Sequence, residues 1–202
     1  MKKLDQTVFI CADRMGEVFI EGLEESMGHT GLTTVLKQAG VRRRDKNPLE
    51  GADLERILEA MGVLFGPRAG FGMAQCTGRA CFKYGLRAFG VELGLNDLQF
   101  RLQPPAMRIR EAMGLLAYII GQVYGVRVRV EQDQNSYRWI VPSPVPLPGR
   151  QLNPSVYHMM MGALRELLYW ASGGKTYAID QKDGDGIGNP GCTIVIARQP
   201  LE

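Results

Sequence analysis

From Val126 to Val141 the chain reads VRVRVEQDQNSYRWIV, and this stretch decides the fold class. Val126, Val128 and Val130 alternate with Arg127, Arg129 and Glu131, the period-two pattern of a half-buried strand. Gln132 to Asn135 supplies a polar turn. Tyr137, Trp139 and Val141 then resume the alternation against Arg138 and Ile140. Two short alternating runs around such a turn predict an antiparallel hairpin.

Upstream of the hairpin the spacing is helical. Val18, Phe19, Gly22, Leu23 and Met27 form one segment that Gly28 can end, and Leu32 to Ala39 forms a second, stopped by Gly40. Asp53 to Phe65 carries a stripe of Leu54, Ile57, Leu58, Met61 and Leu64 before the stop at Gly66-Pro67. A glycine- and alanine-rich helix runs from about Phe71 to Phe89, and another from Pro105 to Tyr124 with proline at its start. Downstream, Pro142, Pro144, Pro146 and Pro148 make an extended linker. Asn153-Pro154 is an N-cap and first-turn pair. It opens a helix whose buried stripe is Val156, Met160, Ala163, Leu164 and Leu167, closed by Gly173. Strands at about Thr176 to Asp180 and Cys192 to Ala197, joined through Gly184, Gly186 and Gly188, end the chain. Helices first and hairpins after predict an α+β fold, with N-terminal helices packed on a small antiparallel sheet carrying one inserted helix. The expectation is a single domain over 1–202, mainly helical over 1–124 and hairpin–helix–hairpin over 125–202.

The 202 residues are 45% hydrophobic and 22% charged, ordinary globular values that argue against a disordered chain. A net charge of +3 gives no reason to expect nucleic acid. Cys11, Cys76, Cys81 and Cys192 contain no CxxC pair and make no disulfide framework. Asp5, Asp13 and Glu17 interrupt the N-terminus, so no signal peptide is read there. Gly114 to Val123 is too short an apolar run to span a bilayer. A reduced, cytoplasmic setting without a membrane span is the resulting expectation.

The chemical motifs are sparse. Gly70-Phe71-Gly72 begins a GxGxxG pattern, but Gln75 occupies its last position and no strand precedes it. Asp183-Gly184-Asp185 begins like a calcium loop, yet Ile187 and Ile194 stand where oxygen ligands belong. Cys76 and Cys81 lie five apart, about 140° around a helix, and share no face. With Cys192 they are weak metal candidates, and no metal is assigned. No acid–base pair or nucleophile stands out, and His158 reads as solvated or hydrogen-bonded. The Arg42-Arg43-Arg44 run with Lys46 reads as a solvated loop. Met159, Met160 and Met161 fit a plain core helix by periodicity; methionine flexibility also suits the wall of an adaptable apolar pocket.

Three stretches carry a family resemblance. They are Gly31-Leu32-Thr33-Thr34-Val35-Leu36-Lys37-Gln38-Ala39-Gly40, Gly78-Arg79-Ala80-Cys81-Phe82-Lys83-Tyr84-Gly85, and Gly174-Lys175 through Gly188-Asn189-Pro190-Gly191-Cys192-Thr193-Ile194-Val195-Ile196. In these the chain resembles the 4-vinyl reductase domain family, also described as hydrocarbon-binding domains. The terminal hairpin departs from the family's pattern: Gly184 falls near its first cysteine, Gly188-Asn189 replaces the GD step, and Ile194 replaces the aromatic, leaving only Cys192. If paired cysteines bind metal in that family, the resemblance implies that this chain has lost the site. It also implies the ligand-binding fold shared with vesicle-tethering TRAPP-type subunits and haem nitric-oxide sensors, an apolar pocket, and a homodimer. No histidine matches a proximal haem ligand, and no cofactor is implied.

On that resemblance the expected pocket residues are Met160, Leu164, Met161, Leu167, Tyr118 and Phe82. The expected function is binding of a small hydrophobic ligand (a hydrocarbon, aromatic or acyl chain) by a sensor or carrier. The alternatives are a substrate-binding participant in tetrapyrrole 4-vinyl reduction and a structural assembly subunit. The glycine- and alanine-rich surface at Gly78, Ala80 and Gly85, with apolar stripes to spare on the first helices, is the expected dimer face.

Overall fold

The computed structural model describes residues 2–41, 49–142, 152–184 and 191–201, without the side chains of residues 2–13. The basic run at Arg42 to Lys46, prolines 144, 146 and 148, the glycines at 186 and 188 and the side chain of Cys11 lie outside the described residues. The element order is α1 (Lys2–Ala39), α2 (Gly51–Phe65), α3 (Pro67–Phe89), α4 (Leu98–Arg101), α5 (Pro105–Tyr124), β1 (Arg129–Gln132), β2 (Ser136–Pro142), α6 (Pro154–Ser172), β3 (Tyr177–Asp183) and β4 (Gly191–Pro200). This is an α+β fold, with the strands following the first five helices and α6 inserted between the two hairpins, β1–β2 and β3–β4.

Glycine punctuates the helices. α1 is broken at Gly28, whose φ of 70° and ψ of 170° are non-helical, so the two expected segments abut at a kink without a loop. At its end Val41 N donates to Leu36 O and Gly40 N to Lys37 O, the paired bonds of a Schellman motif around a left-handed Gly40. In α2, Leu54, Ile57, Leu58 and Met61 are buried as the stripe predicts; Leu64, in the last turn, is exposed instead. α4 was not foreseen, being a single turn with no periodicity to read. Its Phe100 stacks on Trp170 of α6, with centroids 5.6 Å apart. The Asn153 side chain accepts from Ser155 N at 2.9 Å, capping α6 in front of Pro154.

The strands form an antiparallel sheet in the order β1-β2-β4-β3. Tyr137, Trp139 and Val141 stand opposite Ile196, Ile194 and Cys192, and all six are buried. The alternation that announced the hairpin is thus the sheet's inner face. β1 begins at Arg129, so Val126 and Val128 precede the ladder.

α3 and α6 cross at close range through glycine. A Cβ on Gly78 would stand 1.9 Å from Met159 O, and one on Gly162 would stand 2.0 Å from Gln75 O. Gly78 and Ala80 are buried within the chain and Gly85 is half-buried, so the small residues expected to meet a second copy already serve packing inside the chain. The stripes of α1 and α2 are likewise covered, since one hydrophobic cluster joins them to α3, α5, α6 and the sheet. Among the described residues no helix is long and apolar enough to cross a membrane.

Candidate functional site

A cavity of about 70 Å³, measured as space open to the centre of a water molecule, lies among the helices. α1 contributes Met15 and Phe19, and α2 contributes Leu54. α3 contributes Gly78, Cys81, Phe82, Gly85, Leu86 and Phe89; Leu93 and Leu95 follow in the turn beyond it. α5 lays down Ala112, Leu115, Leu116, Ile119, Ile120, Val123 and Tyr124, a run at helical spacing along one face. α6 closes the space with Met159, Met160 and Ala163, the residues at its crossing with α3. The resemblance implied a pocket enclosed between helices and sheet. Among the described residues no strand residue borders the cavity, and the inner faces of β2 and β4 are spent on the core.

Of the six expected pocket residues, Met160 and Phe82 line the cavity. Leu164, Leu167 and Met161 are buried in the core and do not border the cavity. Tyr118 is 42% exposed. Its place on α5 is about 140° from the middle of the lining face, at 100° per residue. The α5 face was missed although its signal was present: Ala112, Leu116, Ile119 and Val123 recur at i, i+4, i+7 and i+11.

Among the described residues the walls carry no charged side chain and no histidine. The lining residues that carry a polar side-chain atom are Cys81, with its Sγ, and Tyr124, with its Oη. Cys81 Sγ donates to Val18 O at 3.8 Å. Burial pushes its thiol up to about 12, so it stays protonated and is no nucleophile at neutral pH. Burial, then the nearby Cys81 and Glu55, also raises the Tyr124 phenol well above its ordinary range. Neither group offers acid–base chemistry near pH 7.

The other chemical candidates are dispersed. Cys76 is exposed on α3, while Cys192 is buried on β4 with its thiol raised to about 12 by burial and then by Asp183. Among the described residues no group of His, Cys, Asp and Glu is gathered to hold a metal ion. His158 faces α3, where its ring stacks on Phe71 at 4.2 Å and Nδ1 lies 3.2 Å from Gln75 Nε2. Burial lowers its pKa. His29 is exposed beside Glu24.

No protein-family model matches the sequence, and no curated protein matches it. Solved structures of similar fold do exist. A Fe(II) unliganded H-NOX protein from K. algicida superposes with a TM-score of 0.58 at 12% identity, covering 93% of this chain and 98% of that one. An H-NOX protein from S. oneidensis in the Fe(II) ligation state gives 0.60 at 10% identity over 93% and 96%. A protein studied for modulation of heme redox potential through porphyrin distortion gives 0.59 at 12% identity over 94% and 96%. The chain therefore has the fold of H-NOX proteins.

Haem does not fit the residues present here. Haem iron takes a histidine, a cysteine thiolate, a tyrosine, or methionine paired with histidine. Among the described residues the cavity walls hold no imidazole, burial disfavours the anionic forms of their thiol and phenol, and Met15, Met159 and Met160 have no histidine to pair with. No wall cation is present to meet a propionate, and about 70 Å³ is small beside the roughly 300–1,000 Å³ of ordinary ligand pockets.

Proposed function

We propose that this chain binds a small, uncharged apolar ligand in the cavity between α1, α2, α3, α5 and α6, as a one-domain sensor or carrier. The observation that carries the reading is the wall itself: bulky apolar side chains on every side, and no charge. Apolar cavities stay dry and favour apolar guests. Three wall methionines, Met15, Met159 and Met160, are flexible enough to yield to guests larger than the space at rest. The resemblance to hydrocarbon-binding domains supports the same reading, and the fold shared with H-NOX proteins supports a ligand-binding module without specifying its ligand. A cavity also favours binding over a purely structural assembly role. Nothing in the site favours participation in tetrapyrrole reduction, whose substrate is a macrocycle like the one that fails to fit.

The test is methionine-methyl NMR with benzene as probe. Met159 and Met160 methyls shift together and saturably, while Met107, 54% exposed on α5, stays put. Benzene leaving the wall methionines unmoved, or moving Met107 equally, refutes the reading. A homodimer remains part of the proposal on the resemblance alone, since α6 occupies the glycine face of α3. Light scattering that gives 22.4 kDa at every concentration refutes it.

A further inference from the structure

Tyr124 is the last residue of α5 and part of the cavity wall. Its phenol oxygen is buried and has no hydrogen-bond partner among the described residues. Leaving a buried hydroxyl unpaired is costly, and native proteins nearly always give such a group a partner. The second polar wall atom, Cys81 Sγ, has its proton committed to Val18 O. Tyr124 Oη is therefore an uncommitted donor on a residue that lines an otherwise apolar space. Bound water is a poor solution there. A buried water typically makes about three hydrogen bonds, and the lining residues carry two polar side-chain atoms, one of them a thiol already donating to Val18 O.

We propose that the ligand is an uncharged apolar molecule bearing one hydrogen-bond-accepting oxygen, a ketone, ester or ether, and that this oxygen accepts from Tyr124 Oη. The inference rests on the reading of the cavity as an apolar ligand site and specifies the ligand class. A carboxylate is disfavoured on two counts. No Lys, Arg or His lines the cavity to receive it, and Glu55, half-buried on α2, adds its negative field at the phenol. A plain hydrocarbon would fill the space but leave the hydroxyl unpaired. The donor thus separates oxygenated guests from hydrocarbons of the same shape, and a site built to hydrogen-bond a group discriminates by leaving its own polar atom unpaired when that group is missing.

The experiment uses two probes of nearly equal shape, cyclopentanone and methylenecyclopentane, titrated into the full chain and into Tyr124→Phe with the methionine methyls as readout. Cyclopentanone loses about tenfold in affinity on going to Tyr124→Phe, while methylenecyclopentane is unchanged or tighter. The carbonyl stretch of bound cyclopentanone lies lower in the wild type than in the variant. Without ligand, Tyr124→Phe melts at the same or a higher temperature, because it removes an unpaired hydroxyl. Equal changes for both probes overturn the inference and leave the apolar site standing. A variant that melts lower in the free state shows that the hydroxyl is already paired, and overturns it too. Failure of both probes to bind the wild type overturns the parent reading and this inference with it.

Discussion

Gly78→Ala tests the geometry on which the cavity depends. The added Cβ would stand 1.9 Å from Met159 O and 3.0 Å from Ala163 N. A carbon approaches a carbonyl oxygen no closer than about 3.3 Å in ordinary contact, so α3 and α6 must part by more than about 1 Å. The atoms in the way are backbone, which no rotamer change can relieve. Overpacking of this kind costs up to about 3 kcal/mol. Replacing glycine by alanine inside a helix returns about 1 kcal/mol. The net expectation is a loss of about 2 kcal/mol, or a melting temperature lower by about 4–8 °C for a chain of this size. Gly162→Ala meets Gln75 O at 2.0 Å across the same crossing and should behave alike. The double variant should lose less than the two single losses together, since once the helices have parted the second Cβ has room. Gly114→Ala is the control: it is exposed in mid-α5, its Cβ would touch nothing within 4 Å, and it should gain about 0.5–1 kcal/mol. Urea unfolding followed by circular dichroism measures all four. If Gly78→Ala and Gly114→Ala both stabilise, the close crossing is wrong, and the cavity beside it with it.

Met160→Ala should cost about 2–4 kcal/mol in chemical denaturation while enlarging the cavity, so benzene affinity rises as stability falls; a variant as stable as the parent would mean that Met160 is not packed as the structure places it. Cys76, exposed, should alkylate in the native protein, whereas Cys81 and Cys192 should react only on unfolding, which site-resolved mass spectrometry reads directly. The two buried thiols are held neutral up to about 12 in the fold against an ordinary value of 9.0, so the unfolded chain loses those protons first and stability should fall as pH rises from about 9 towards 12. Replacing both by alanine should flatten that decline, and an unchanged decline would assign it elsewhere. His158 has the opposite sense: its pKa is lowered by burial, so stability should fall as pH drops below the ordinary 6.5, and His158→Gln should remove that part of the acid limb.

Local rules were enough for much of this fold. α5 spans Pro105–Tyr124 and α6 starts after the Asn153 cap because proline, asparagine and left-handed glycine impose helix ends through backbone sterics and nearest-neighbour hydrogen bonds. The strands were legible because alternation puts Trp139 and Ile194 on one face whatever their partners prove to be. Function was less legible, since an apolar residue looks the same in sequence whether it fills a core or borders a void. Met160 and Leu164 share a face of α6, yet one borders the cavity and the other is buried in the core away from it. The α5 wall and the unpaired Tyr124 hydroxyl emerged only once five helices were brought together, as burial without a partner is a property of the surroundings. The small residues of α3 show the same division. Sequence announces that a helix can be approached closely at Gly78, and tertiary structure decides that α6 of the same chain makes that approach, because the helix joined through the sheet is already held within reach.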